Sequence, residues 1–271
     1  MNLGREKESR HSGDIMGRTW NERRIRDVVI IFISFIIMSR TCFPQISHAA
    51  PSAMPEKFIY DLAWTGVKAG TATLEIKDEG DHVRIISTAQ SASWVSVFYA
   101  VDNRVESTLF KKSGSSFFQP SRYLLKIREG RHRRDKEVIF DHDVNKAFYI
   151  DHLKNEKREF MVTPPVFDPL AGFYYLRTLE FSVGQSVYIT IFDSKKVWNV
   201  EVQVLRKEKI TIPAGSVRTI VVKPLMKSEG IFSRQGEMLI WLTDDKKHIP
   251  VKMQTKVAIG SISATLIRGL Y

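Results

Sequence analysis

Residues 198–204 read Trp198-Asn199-Val200-Glu201-Val202-Gln203-Val204. Every second side chain is apolar and those between are polar. In an extended chain successive side chains point to opposite faces, so this pattern buries one face and wets the other. Wound as a helix, the same residues would scatter around the cylinder and leave no apolar stripe. The stretch predicts a β-strand in a sheet with one buried face.

The same period recurs on both sides of it. Phe58, Tyr60, Leu62 and Trp64 share one face, with Lys57, Asp61 and Thr65 opposite. Ala72, Leu74 and Ile76 alternate with Thr71, Thr73, Glu75 and Lys77. Val251, Met253, Thr255 and Val257 alternate with Lys252, Gln254 and Lys256, and Ile262, Ala264 and Leu266 follow the same rule. Turn-forming clusters separate the runs: Lys68-Ala69-Gly70, Asp78-Glu79-Gly80-Asp81, Asp141-His142-Asp143, Pro213-Ala214-Gly215 and Asp244-Asp245-Lys246-Lys247. A strand plus its turn takes about ten residues, the spacing of an antiparallel meander. A long meander must hide its edges by curling. The expected fold is therefore all-β with two short helices: a curved antiparallel meander forming an incomplete or closed barrel.

The first helix is expected over residues 93–100, where Trp94, Val97, Phe98 and Val101 fall at helical spacing. The second begins after Asp168, a good N-cap, with Pro169 at the first helical position. Leu170, Phe173, Tyr174, Leu176 and Leu179 follow, so the helix is apolar or aromatic over most of its surface. Such a helix is expected to be buried against the sheet, or to act as a lid over a cavity.

The N-terminal part has a different composition. Residues 28–38 are apolar apart from Ser34, with Arg18, Arg23, Arg24 and Arg26 upstream. Ser47-His48-Ala49 places small residues at −3 and −1 of a cleavage site. This is the layout of a secretory signal peptide, and a membrane span needs roughly 20 apolar residues. An uncleaved anchor is the alternative. The twin Arg23-Arg24 lacks the apolar pair expected after it, and Arg40 fits poorly in a lipoprotein-processing box ahead of Cys42. Residues 1–49 are thus expected to be a leader and residues 50–271 one antiparallel β domain. The expected location is the periplasm or cell envelope.

Composition sets further limits. The chain has 271 residues, 43% apolar and 26% charged, which excludes a mostly disordered polymer. Cys42 is the only cysteine, so neither a disulfide framework nor a Cys-rich zinc module can form. The formal charge is +11, and residues 50–271 keep 33 Lys/Arg against 25 Asp/Glu, a net +8. That excess favours anionic partners such as lipid headgroups or acidic glycans. Export argues against nucleic acid as the partner.

No zincin pair, phosphate loop, dinucleotide fingerprint or nucleophile elbow occurs. No catalytic residue, metal ligand or cofactor is assigned. Asp244, Asp245 and His248 are read as a hairpin turn rather than an acid–base group. The run over residues 128–136, Arg-Glu-Gly-Arg-His-Arg-Arg-Asp-Lys, is read as a solvated hairpin tip around Gly130. Arg131, Arg133 and Arg134 make it a candidate anion patch. Trp94, Phe98, Phe173, Tyr174 and Trp241 are the candidate lining of a ligand cavity, the alternative being a packed core. Arg177 joins them because a buried Arg needs an anion. Asp61, Asp168 or Asp245 would be its structural partner, and a ligand carboxylate or phosphate the other option.

Three stretches resemble one family. They are Asp168-Pro169-Leu170-Ala171-Gly172-Phe173-Tyr174-Tyr175-Leu176-Arg177, then Ile240-Trp241-Leu242-Thr243-Asp244-Asp245 with His248-Ile249-Pro250-Val251 and Gly260-Ser261-Ile262, and the N-terminal Ser93-Trp94-Val95-Ser96-Val97-Phe98-Tyr99 with Asp102-Asn103-Arg104-Val105-Glu106-Ser107. Together they make the chain similar to domain-of-unknown-function family 3108, a group of exported bacterial envelope proteins. The resemblance spans nearly all of residues 56–271 and carries no activity with it. The layout is also similar to the half-barrels of periplasmic lipoprotein carriers, an architectural analogy.

The expected function is a non-catalytic binding or carrier protein for an apolar or lipid-like ligand. The alternative is an envelope assembly or scaffold protein with a filled core, binding a protein or glycan. The expected partners are a lipid or lipidated molecule, an envelope protein or glycan, and the membrane surface as a peripheral contact.

Overall fold

A computed structural model describes residues 55–111, 118–193, 195–225, 238–256 and 260–270. The expected leader, residues 1–49, lies outside the described residues. In chain order the strands are β1 (Glu56–Trp64), β2 (Val67–Asp78), β3 (His82–Ser91), β4 (Asp102–Lys111), β5 (Phe118–Glu129), β6 (His132–Asp141) and β7 (Lys146–Asp151). They continue as β8 (Glu156–Met161), β9 (Ser186–Asp193), β10 (Lys196–Ile212), β11 (Gly215–Leu225), β12 (Met238–Thr243), β13 (Pro250–Lys256) and β14 (Ser261–Leu270). Helix α1 (Ser93–Ser96) joins β3 to β4, and α2 (Pro169–Leu176) lies between β8 and β9.

The strands form one 14-stranded sheet in the order β8-β7-β6-β5-β4-β3-β2-β1-β14-β13-β12-β11-β10-β9. Every strand pairing is antiparallel, and the first and last strands meet where β1 pairs with β14, Leu62 opposite Ala264 and Tyr60 opposite Leu266. The quoted stretch lies in β10, where Val200, Val202 and Val204 are all buried.

The sheet does not close, so β8 and β9 are its edges. Each edge is protected differently. β8 reads Glu-Lys-Arg-Glu-Phe-Met and keeps Lys157, Arg158 and Glu159 exposed, which discourages pairing with a second chain. β9 is covered by the segment before α2: Phe167 N–H donates to the Thr190 carbonyl at 2.9 Å, and Phe192 N–H donates back to Phe167 at 2.8 Å.

Helix α2 explains the curl. It is about 12 Å long at 1.5 Å per residue, yet it touches strands far apart in the sheet order. Gly172 lies against Ile189 and Ile191 of β9, where an added Cβ would come within 3.1 Å of Ile191 Cδ1. At the other side Asp168 reaches Ser107 of β4. The sheet therefore wraps around the helix. The core divides accordingly. One cluster joins β1–β4, α2 and β9–β14. A second, built on Tyr123, Ile127, Val138, Phe140 and Tyr149, fills the β5–β7 arm. Leu170 packs against both.

Of the two expected forms of the barrel, the structure has the incomplete one. Two other expectations need correction. The first helix covers Ser93–Ser96 only, since the following Val97 and Phe98 turn outward. Lys68-Ala69-Gly70 is not a turn: it lies inside β2, and the chain reverses earlier, at Thr65 and Gly66, both with positive φ. Gly70 is required for a different reason. A Cβ there would sit 2.2 Å from the Gln90 carbonyl oxygen of β3, opposite a bulge in β1 between Leu62 and Ala63. Glycine inside a strand marks such close backbone approach.

Candidate functional site

Helix α2 is fixed at both ends by buried charge. At its start the Asp168 carboxylate accepts from the backbone N–H of Leu170 and Ala171 at 2.9 Å each, the two bonds of an N-cap. Its second oxygen accepts 2.6 Å from the Ser107 hydroxyl. Asp168 and Ser107 are both fully buried. Burial pushes the Asp168 carboxyl up to about 6, against the opposing pull of those hydrogen bonds.

At its end Arg177 is 7% exposed. Its guanidinium donates to both Glu56 oxygens, at 2.8 and 3.0 Å. It also donates to the carbonyls of Lys247 and His248 and lies over the Tyr174 ring, 4.9 Å from the centroid. The anion beside Arg177 is thus Glu56, not Asp61, Asp168 or Asp245. His248 Nδ1 lies 2.9 Å from the Arg177 carbonyl, while Asp245 accepts from Thr243 Oγ1 and the backbone N–H of Lys247 and His248. Asp245 organises the expected turn, and the turn is what grips Arg177.

Between α2 and the sheet lies a cavity of about 300 Å³. Its wall combines Leu74, Ala89, Val105 and Ile127 from one arm, Val200, Val202, Ile240 and Met253 from the other, and Leu170, Phe173 and Leu176 from the helix. Polar groups at its edge are occupied elsewhere. Asn103 donates 2.6 Å to Glu129 and accepts from Arg128 N–H, and Tyr60 donates its hydroxyl to the Pro250 carbonyl. The cavity extends from α2 to the strand ends at Ala89, Asn103, Pro224 and Met238.

The sheet register continues this wall into a charged region. Leu74 pairs with Ser87, Ser87 with Val105, Val105 with Leu125, Leu125 with Lys136, and Lys136 with Asp151. Paired residues share a face. Lys136 is therefore on the same inner face as the cavity wall, and so is Arg134, which pairs with Ile127. A second cleft, of about 340 Å³, lies here between the β5–β6 hairpin, β7 and the β9–β10 turn. Arg133, Arg134, Lys136, Lys154 and Lys195 line it, with Asp151 as the carboxylate on its wall.

The sequence-predicted residues separate in the structure. Phe173 lines the cavity. Tyr174 is buried on another flank of α2, against Arg177. Trp241 follows cavity-lining Ile240 and so points to the opposite face of β12, where its indole N–H donates 2.5 Å to Glu208. Trp94 and Phe98 belong to an exposed rim. Phe98 is 85% and Val97 77% exposed, and Tyr99 covers the Gly130 turn. Arg131 stands at the exposed hairpin tip. Arg133 donates to the Gly130 and His132 carbonyls, and Arg134 Nε donates to His132 Nε2.

Sequence reasoning did not single out Lys136, Lys154 or Lys195. For Lys136 a signal existed. It shares parity with Arg134 on one side and with Val138 and Phe140 on the other, so the basic run continues the face that buries Val138 and Phe140. Lys154 and Lys195 join it only through the fold.

Fold and cavity together define an open β-barrel-like protein wrapped around a helix, with an apolar interior. The chain belongs to the family described as protein of unknown function (DUF3108), whose model matches residues 59–267. Among solved structures it is similar to a β-barrel-like protein of domain of unknown function DUF1849 from Brucella abortus. That likeness covers 80% of this chain and 97% of that one, at 13% identity and a TM-score of 0.50. A protein of YmcC-like fold from Bacteroides fragilis also matches, over 80% of this chain and 95% of that one, at 7% identity and a TM-score of 0.29. No curated protein matches the chain.

Proposed function

We propose that this protein is an exported, envelope-associated carrier that holds an apolar or lipid-like ligand between α2 and the sheet. The observation that carries the reading is the apolar cavity of about 300 Å³ beside α2. Pockets that hold small ligands start at about this size. A void lined this way offers water few partners. An apolar occupant would cover this wall, a gain of about 25 cal/mol per Å² of apolar surface removed from water. The Arg-flanked apolar run at residues 28–38 supports export. The apolar cavity favours this reading over the alternative, a scaffold with a filled core.

A peripheral bilayer contact belongs to the same reading. Trp64, Val67, Trp94, Val97, Phe98 and Tyr99 are exposed along the strand ends to which the cavity extends. The basic hairpin carrying Arg131 abuts them through Tyr99 and Gly130. Aromatic side chains beside cations suit an anionic membrane interface.

Native mass spectrometry of the protein gently purified from an envelope extract, with lipid analysis of the same sample, tests the reading. A stoichiometric lipid adduct is expected. Ligand-free protein that takes up no lipid from added micelles moves the weight to the scaffold.

A further inference from the structure

We infer that the cleft formed by Arg134, Lys136, Lys154 and Lys195 is a binding site for a phosphate-type anion, placed to hold the head of a ligand whose tail occupies the cavity. The second half of that statement rests on the carrier reading; the first does not.

Three observations support it. The first is charge. Five cations line the cleft, and Asp151 is the carboxylate on its wall. Asp151 is already committed, accepting from Lys154 N–H at 3.1 Å and from the Tyr149 hydroxyl at 3.4 Å. Glu156, close by, accepts 2.6 Å from Lys195 and also pairs with Arg158. Asp193 is the third acid near Lys136. The cations outnumber these acids.

The second is how the cations are held. The ammonium groups of Lys136 and Lys195 lie 5.6 and 5.0 Å from the centre of the same Tyr149 ring. Two like charges are brought to one ring from β6 and from the β9–β10 turn, on opposite sides of the sheet opening. Lys136 is held below the usual lysine range, first by burial and then by the Arg134 guanidinium. An anion placed between them would relieve both effects. Guanidinium and ammonium donors converging from several directions suit the oxygens of a phosphate ester.

The third is register. Lys136 shares one cross-strand row with Leu125, Val105, Ser87 and Leu74, and three of these line the cavity. Leu125 is buried in the second core cluster, but Ile127 lines the cavity and its cross-strand partner Arg134 lines the cleft, so an amphiphile with its tail in the cavity would reach the cleft with its head past Ile127. Arg177, the other candidate for reading a head group, already holds Glu56.

Titration calorimetry with two amphiphiles of identical tail, dodecyl phosphate and dodecanol, tests the proposal below their aggregation thresholds. Inorganic phosphate is the third probe. Dodecyl phosphate is expected to bind at least tenfold more tightly than dodecanol. Arg134→Gln with Lys136→Gln should reduce that preference to within twofold and leave dodecanol affinity unchanged. Arg131→Gln, at the hairpin tip outside the cleft, should leave the preference intact. Lys195→Gln, on a turn, gives a second variant should the double one unfold, with an expected loss of threefold or more. Equal binding of both amphiphiles, with no binding of inorganic phosphate, overturns the anion site and leaves the carrier reading standing. Inorganic phosphate that binds and is lost in the variants, with neither amphiphile entering, upholds the anion site with a free anion as its ligand. That result removes the carrier reading.

Discussion

The Ser107 hydroxyl on β4 donates a 2.6 Å hydrogen bond to Asp168, the N-cap of α2, and neither residue is exposed to solvent. Through this bond the helix start is fastened to one arm of the sheet, while Gly172 packs on β9 at the other. The contact therefore helps to hold the curled sheet and the cavity beside it.

Asp168 should also write a pH dependence into stability. Burial raises its folded pKa to about 6, above the ordinary carboxyl value near 3.8. Between those values the folded protein binds more protons than the unfolded chain, so stability from this group falls as pH rises. Its contribution is complete below pH 4 and lost by about pH 6 to 7. Asp168→Asn keeps an N-cap and can donate to Ser107, so it should flatten this part of the curve. Thermal unfolding of both proteins from pH 4 to 7 checks this. Parallel curves would disprove the assignment. Asp168→Ala should cost about 2 kcal/mol or more at any of these pH values, since it removes the cap and strands buried donors.

The Glu56–Arg177 pair yields a second prediction. Both side chains are largely buried, and the guanidinium is bidentate. Removing one partner leaves an uncompensated buried charge, at about 3–5 kcal/mol. Glu56→Ala and Arg177→Ala should each lower the urea midpoint strongly. Glu56→Leu combined with Arg177→Met should recover much of the loss, because a buried pair is often replaceable by apolar residues. A double variant as unstable as the sum of the singles would contradict this account.

This pair also marks where the sequence stops being readable. Alternation and turn chemistry are local, so the strands around Val200, Leu74 and Met253 and the Asp168-Pro169 helix start were legible. Glu56 lies 121 residues from Arg177 in the sequence. Nothing local connects the two. Trp94 and Phe98 carry the same lesson, since helical spacing identifies a face but not whether anything covers it. Lys136 and Lys195 meet over Tyr149 only because the sheet curls.

Gly70 gives a third prediction. An added methyl would meet the Gln90 carbonyl at 2.2 Å, and a backbone atom in a paired strand cannot swing aside. Gly70→Ala should destabilise by about 1–3 kcal/mol, the ordinary scale of overpacking. At this chain length that is a fall in Tm of roughly 2–4 °C per kcal/mol. Gly80→Ala is a useful comparison, because its strain comes from positive φ alone with nothing near the new Cβ. Calorimetry of the two should place Gly70→Ala lower. The reverse order would mean that β2 and β3 separate more easily at this point than the paired register implies.

The cavity can be challenged without touching α2. Ala89 on β3 lines it, opposite Ala72 and Asn103 in the neighbouring strands. Ala89→Phe would place a ring in the space and leave the backbone hydrogen bonds of β3 intact. A fluorescent apolar dye should bind the native protein and lose at least tenfold in affinity in this variant. Its Tm should hold or rise, because the added ring covers apolar wall otherwise left open to solvent. Phe98→Ser, on the outer rim, should leave dye affinity unchanged and weaken flotation with anionic vesicles. The two variants thus separate the interior from the rim. If Ala89→Phe unfolds the protein, Ala72→Leu on the adjacent strand fills less of the same space and should give a smaller loss of dye binding. Undiminished dye binding in a folded Ala89→Phe variant would place the dye elsewhere and remove the main support for the carrier reading.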